Sequence, residues 1–504
     1  MNPGNGAHTA RQIACPAVTP QAAIACGNPG TAAAAAAILR GGGNAVDAAV
    51  GAGFAAAIAE PGLTSLGGGG FLLLRQPDGE QHLLDFFVNA PGRGLARAQL
   101  APHFTPVTIA FSGTEQIFHA GYGSVAVPGA LDGYLLAHRR FGRLPLADVL
   151  EPARAMAEDG TPLARVQGTV LQLLFDILTL TQEARDVFAP SGTLPAVGDL
   201  LRNEHFGQFL RQLGTTDTTG WRDAPGSEQL VASMTSHRGL VTSADLSSYE
   251  VVERTPLTMS FGGVRLTTNP APSFGGSIIS DALHTLMNDG FPQHPTTRSV
   301  QMVRALRDAT ERAKDSRRAQ SAKGTTHLSV VDGDGAFVSM TTSNGSCSGV
   351  MAQGTGVQLN NVMGEADLHP DGFHATEPGT RIGSMMAPML LDLPDGSVVA
   401  LGSGGSERIR SALLQVIMNL AMDGNGLAGA IVAPRIHFDG VAIQVEPGLP
   451  AHTLAALAGE LPVNSWSTPD LYFGGVHAVR RSADGVLTAM GDPRRDGVGL
   501  VVEL

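Results

Sequence analysis

Apolar residues recur at helical spacing along several long stretches of this chain and alternate with polar ones along others. An alanine-rich run that Thr31 can cap continues to about Arg40 and stops at Gly41-Gly42-Gly43. Asn44 can cap the next, Ala45 to Ala59, which ends before Glu60-Pro61. With so much Ala and Gly the two can approach closely, which predicts a core helical pair. Ala130 to Phe141, Leu146 to Glu158, Leu171 to Ala189, Ser277 to Met287 and the charged stretch Val300 to Arg318 also read as helices, with Ser243 to Tyr249 a short capped helix or turn. Phe71 to Leu74 is an apolar run best read as a buried strand, and His82 to Phe87 reads as another. Further strands are predicted about Gly262-Gly263 (Thr258 to Leu266), at Gly356 to Asn361, in a hairpin of Ala387 to Leu393 with Ser397 to Leu401, at Tyr472-Phe473 and at Val476 to Val479. A helix-rich half followed by a strand-rich half, with no repeat or interdomain linker, predicts one layered α/β body.

One hairpin stands out. Leu328 and Val330 alternate with polar neighbours, Asp332-Gly333-Asp334-Gly335 is a turn, and Ala336 to Thr342 is a second β-rich run. A loop of about three residues with Gly335 left-handed sets Thr325 opposite Ser343, whereas a loop of about two sets it opposite Thr342. Either way a hydroxyl lies beside Thr325. The plainest interpretation of this stretch alone is a surface hairpin with polar ends.

Composition narrows the function classes. The chain has 504 residues, 43% of them apolar and 15% charged, enough for a large buried core. Lysine occurs only at Lys314 and Lys323, so nearly all the basic residues are arginine, and none cluster into a basic face. That dispersal and the net charge of −12 argue against nucleic acid and anionic membrane as partners. Cys15, Cys26 and Cys347 are too few and scattered for a disulfide framework or a zinc site. No metal-ligand spacing of the His-Glu-x-x-His kind is present, and no metal or cofactor is expected. Residues 1–21 lack the cationic and apolar regions of a signal peptide, and Ala45 to Ala59 is too short to span a bilayer, so a soluble, cytoplasmic protein is expected.

Two constellations can carry chemistry. A threonine hydroxyl is a poor nucleophile until its own α-amine serves as base, which for Thr325 requires cleavage between Gly324 and Thr325. Gly324 can hold a strained peptide there. Ser403-Gly404-Gly405-Ser406 reads as a helix start whose free N–H groups suit an oxyanion, or as a turn in which Ser406 caps the helix. His327 shares Thr325's face of a strand, where a structural histidine is the ordinary reading. Glu365 and Asp367 lie on a loop and could meet an ammonium group. Gly67 to Gly70 is not a phosphate loop, because no Gly-Lys-Ser/Thr follows and the order is loop then strand. Gly345-Ser346-Cys347-Ser348-Gly349 approaches a nucleophile elbow but centres on Cys347.

Together these residues resemble the γ-glutamyltransferase (γ-glutamyl transpeptidase) family of N-terminal nucleophile hydrolases. The resemblance runs in order through Gly42 to Ala49, Glu60-Pro61, Gly67 to Phe71, Val127-Pro128-Gly129, Pro270 to Gly276, Thr325 to Asp332 and Gly356 to Asn361. It continues with Ser384-Met385-Met386-Ala387-Pro388, Gly404-Gly405, Ala433 to His437 and Asp492-Pro493-Arg494-Arg495. It implies a four-layer αββα sandwich and self-cleavage into segments 1–324 and 325–504, which stay associated as one body. It further implies Thr325 as nucleophile, Ser343 as its supporting hydroxyl, Asn344 as a substrate contact and Gly404 with Gly405 as oxyanion hole. The implied reaction attacks a γ-glutamyl amide, of the glutathione type, and passes the acyl group to water or an amino acid.

Departures from the family pattern bear on the substrate. In Asp85-Phe86-Phe87-Val88-Asn89-Ala90-Pro91, Phe87 stands where the family has the arginine that grips the substrate carboxylate. Val362 replaces a polar residue, and Glu365 matches the acid that holds the α-amino group, in longer form. Ser384 is kept from a serine pair whose other position is Gly383. The loop from Asn344 to Gly349 is about one residue short of the family's. Losing a bidentate charged contact costs roughly 2–5 kcal/mol of binding. Arg93, Arg97 and Arg381 are candidates to replace it. Three functions follow: a γ-glutamyltransferase-like enzyme, an amidase or acylase of the same fold for a less polar acyl group, and an uncleaved, non-enzymatic binding protein.

Overall fold

Alternate side chains of the long strands enter two different cores, and this parity builds the layers. In the Gly69–Arg75 strand, Leu72 and Leu74 pack into a core shared with the alanine-rich helices, while Phe71 and Leu73 face a second core. The Thr325–Val331 strand repeats the pattern, with Leu328 and Val330 on the helix side and Val331 on the other. The second core lies between two sheets, because Leu390, Ala400 and Val479 enter it from the opposing sheet. Their neighbours Met389, Leu391, Val399, Leu401 and Ala478 enter a third core against helices Gly275–Asn288 and Arg408–Met422. The order helix, sheet, sheet, helix is the αββα sandwich that the sequence implied.

These elements are seen in a computed structural model describing residues 21–504 except 102, 112–113, 293, 316–323, 370, 423 and 425. The first sheet runs in the order Val498–Glu503, Gln21–Cys26, Thr325–Val331, Phe337–Ser343, Gly69–Arg75, Gln81–Asp85 and Val252–Arg254. The second runs Leu487–Met490, Gly475–Arg481, Val398–Gly404, Met389–Asp392, Val264–Thr268 and Leu257–Phe261. Neighbours within each sheet are antiparallel. Both sheets take strands from either side of residue 324, so the two segments share two continuous ladders and three cores.

Most predicted elements are found, including Ala45–Ala59 with Asn44 as cap and Asp47 completing a capping box. Four expectations are corrected. The first helix spans Pro29–Arg40 and is capped by Asn28, while the Thr31 hydroxyl instead donates to Glu60. The predicted helix Leu171 to Ala189 is broken into Arg165–Leu173, Phe175–Leu178 and Gln182–Phe188. There Thr179 donates to Phe175 O and Thr181 caps the third piece, two side-chain bonds that compete with a continuous helix. Of Gly356 to Asn361 only Val357–Gln358 is a strand, because the Asn360 side chain takes the carbonyls of Gly67 and Ala126 in place of a ladder. Tyr472-Phe473 forms a single 3₁₀ turn capped by Asp470 rather than a strand. The strand Gln21–Cys26 was not anticipated. Cys15, the end of the predicted helix beyond Asp315 and the link Ala319 to Lys323 lie outside the described residues. No helix among the described residues is long and apolar enough to cross a membrane.

Candidate functional site

The hairpin register places Thr325 directly opposite Ser343, with Gly335 at φ 91° in the turn, which is the three-residue arrangement. On the far side of Ser343 the ladder continues to Gly69, and an added Cβ on Gly69 would stand 2.8 Å from Phe87 Cα. Thr325, Ser343, Gly69 and Phe87 therefore form one row across the sheet. Strand parity turns Thr325 and His327 toward the second sheet and Thr326 toward the helices, as the alternation required.

Thr325 is 1% exposed, and its Oγ1 has no hydrogen-bond partner among the described residues. An unpaired buried hydroxyl costs free energy, so its presence needs a reason. Beside it, the Ser343 hydroxyl donates to Gly324 O, the carbonyl of the Gly324–Thr325 peptide. A Cβ on Gly324 would lie 2.0 Å from Gly345 O and 2.6 Å from Gly62 O, so only glycine fits this approach.

Asn344, Asn361 and Glu365 gather around Gly345-Ser346. The Ser346 N–H donates to Asn361 Oδ1 at 2.7 Å and to Glu365 Oε1 at 3.0 Å. Asn344 Oδ1 and Asn361 Nδ2, like Thr325 Oγ1, are buried with no hydrogen-bond partner among the described residues. The side chain of Asp367 lies outside the described residues. Ser384 is buried, its Oγ accepting from Met386 N at 3.0 Å.

The glycine pair is brought to Thr325, but not as the start of a helix. Gly404 ends the Val398–Gly404 strand, Gly405 has φ 126° and Ser406 φ 57°, and the helix begins only at Arg408. The small residues therefore serve a strand end and a left-handed turn, which correct the helix-dipole expectation. A Cβ on Gly404 would stand 2.2 Å from Thr325 O.

The carboxylate-grip positions are apolar. Phe87 and Val362 are fully buried in the inter-sheet core with Phe71, Met363, Leu368 and Ile382. Arg381 is occupied elsewhere: its guanidinium donates to Phe87 O, to Tyr249 Oη at 2.7 Å and to Glu250 O at 2.7 Å, and lies 3.5 Å from Asp85. Arg93 and Arg97 are exposed.

Two residues quoted above only as parts of motifs prove to be built into the site. Glu60, ending the second alanine-rich helix, accepts from Thr31 at 2.8 Å and from Thr326 at 2.5 Å. Arg495, from the turn Pro493–Arg495, donates through Nη1 to Thr325 O at 3.0 Å. Glu60 lies 266 residues from Thr326 and Arg495 lies 170 residues from Thr325 along the chain, so no local signal carried either contact.

Burial pushes the Glu60 carboxyl above its usual range, against the pull of its two hydroxyl donors and Arg495. A carboxyl whose pKa is raised on folding favours the native state below its unfolded value and disfavours it increasingly as pH rises through the folded value. Glu60→Gln should therefore flatten the fall in melting temperature as pH rises above about 4.5, measured by thermal unfolding. An unchanged slope would show that folding does not raise the Glu60 carboxyl.

Burial also lowers His327 well below the usual histidine range. Its ring is held by Thr341 at 2.8 Å and Ser329 at 2.9 Å and packs against Gly402, the arrangement of a neutral structural histidine. Cys347 lies in the loop after the hairpin with its thiol pushed up to about 12 by burial, which removes it as a nucleophile at neutral pH.

Known proteins resemble this chain along most of its length. The gamma-glutamyltranspeptidase family model matches residues 31–322 and 307–502. Acylase ACY 1 proenzyme of Pseudomonas sp. (strain V22) is 30% identical, over 97% of this chain and 94% of its own. Glutathione hydrolase proenzyme of Escherichia coli (strain K12) is 27% identical, over 91% of this chain and 87% of its own. Cephalosporin acylase from Bacillus halodurans superposes with a TM-score of 0.82 at 26% identity, covering 98% of this chain and 99% of that one. The chain belongs to the gamma-glutamyltranspeptidase family and is an enzyme of it.

Proposed function

We propose that the chain is an autoprocessing enzyme that takes the acyl group of a γ-glutamyl amide onto Thr325 and passes it to water or an amino acid. The observation that carries this reading is the unpaired Thr325 hydroxyl beside a Gly324 carbonyl already polarised by Ser343. In the uncut chain, Thr325 Oγ attacks that carbonyl, the peptide nitrogen leaves as the new α-amine, and water releases the Gly324 carboxylate from the resulting ester. The freed amine then serves as base for the hydroxyl. In turnover the same oxygen attacks the substrate amide, the amine leaves with a proton, and the acyl ester is resolved by the acceptor. In this reading Gly404 and Gly405 receive the oxyanion, and Asn344 and Glu365 meet the substrate. Relatives named as proenzymes support processing of the chain, and Gly324–Thr325 is the proposed point of cleavage.

A second reading, an acylase for a less polar acyl group, is favoured by the burial of Phe87 and Val362 and the engagement of Arg381 by Asp85, Tyr249 and Phe87 O. Acylase relatives support it as well. The two readings share one consequence. Stripping the α-carboxylate and α-amine from a γ-glutamyl anilide should cost less than about tenfold in kcat/KM, because no bidentate grip worth roughly 2–5 kcal/mol is present to lose. Steady-state kinetics with γ-glutamyl, glutaryl and butyryl anilides measure this. A loss above about a hundredfold would reveal a substitute carboxylate clamp. Turnover of the non-glutamyl donors alone would establish the acylase reading.

A further inference from the structure

Arg495 enters the site through a slot made of glycines. Gly404 and Gly475 face each other in the second sheet's ladder. A Cβ on Gly475 would stand 2.3 Å from Arg495 Cδ, and one on Gly404 would stand 2.9 Å from Arg495 Nη1. The guanidinium thus passes between two residues without side chains and ends on Thr325 O at 3.0 Å. Its base is fixed by Asp492, which caps the Pro493–Arg495 turn and pairs with Arg435 and Arg494.

We propose, resting on Thr325 as nucleophile, that Arg495 is its positioning residue, holding the Thr325 carbonyl and keeping the α-amine formed by cleavage uncharged. A fixed cation one residue's backbone from an amine disfavours its protonation, and does so strongly where water is excluded. The neutral amine takes the hydroxyl proton as Oγ attacks the amide carbonyl, then gives it to the leaving amine. Other groups around Thr325 do not supply this field. Glu60 reaches the strand through Thr326 on the opposite face, and burial disfavours its charged form. His327 is held neutral, and the Cys26 and Cys347 thiols are held protonated by burial. Glu365 lies beyond Gly345-Ser346. Arg408, Asp492, Glu60 and Arg435 act electrostatically on Arg495 itself. Arg495 itself is lowered only to about 10, first by burial and then by Arg408, so it is charged at neutral pH.

The test is the pH profile of kcat/KM for processed enzyme, whose acid limb reports the free amine. Wild-type protein should show that limb below the ordinary α-amine value of about 7.7–8.0. Arg495→Met should raise it by about one unit or more. Arg495→Lys keeps the charge but loses the fork, and should leave the limb in place while kcat falls about tenfold. A merely structural arginine would lower activity without moving the limb, and an unmoved limb in Arg495→Met overturns the proposal. If that variant does not fold, a raised limb in Arg495→Lys overturns it instead. Failure of the parent reading is separate, since wild-type protein would then yield no fragment beginning at Thr325.

Discussion

Thr325→Ala should give a single uncut chain of 504 residues with no measurable turnover, where wild-type protein gives two. The effect is expected to be complete because one oxygen performs both reactions. Without it nothing attacks the Gly324 carbonyl carbon, although Ser343 still donates to its oxygen. No neighbouring group can stand in. Thr326 points to the opposite face and is bonded to Glu60, and the Cys347 thiol is pushed up to about 12. The substitution removes one hydroxyl and one methyl from a strand end whose hydroxyl makes no hydrogen bond, so the fold should be kept. Denaturing electrophoresis and a thermal melt check both parts. Cleavage persisting in the alanine variant would move the chemistry to another residue.

Gly404→Ala should be the next most damaging change, lowering kcat by at least about a hundredfold. The added methyl would stand 2.2 Å from Thr325 O and 2.9 Å from Arg495 Nη1, so either the nucleophile strand or the arginine has to move. A displacement of this size at a reacting centre is enough to lose aligned attack. Its partner Gly405 sits at φ 126°, where a side chain is strained whatever the space around it. Burst kinetics with an anilide donor separate a slowed acylation from weakened binding, and the expected change is in acylation. Wild-type acylation in Gly404→Ala would exclude the glycine pair from the oxyanion site.

The layered fold was legible because strand parity and helix caps are local. Leu328 and Val330 alternate within one hairpin, Gly335 selects its register, and Asn44 with Asp47 closes a box within one helical turn. Three of the errors fall where a side chain bonds to the backbone against the hydrophobic pattern, at Thr179 and Thr181, Asn360, and Asp470. Thr325 and Ser343 were legible for the same local reason. Arg495 and Glu60 were not, because each reaches the nucleophile strand from a distant part of the chain through contacts that only the assembled layers bring together. Phe87 shows a third case. The substitution itself is plain in the sequence, but only the structure shows its ring in the inter-sheet core and Arg381 already engaged with Asp85 and Tyr249.

Central to all of this is that Thr325 becomes a chain terminus and carries the acyl group. Intact-mass spectrometry of wild-type protein, before and after brief exposure to a slow acyl donor with acid quench, tests it most directly. The expected result is two species covering residues 1–324 and 325–504, with the acyl mass appearing only on the second and mapping to its first residue. A single full-length species, or an adduct on any residue other than Thr325, would contradict it.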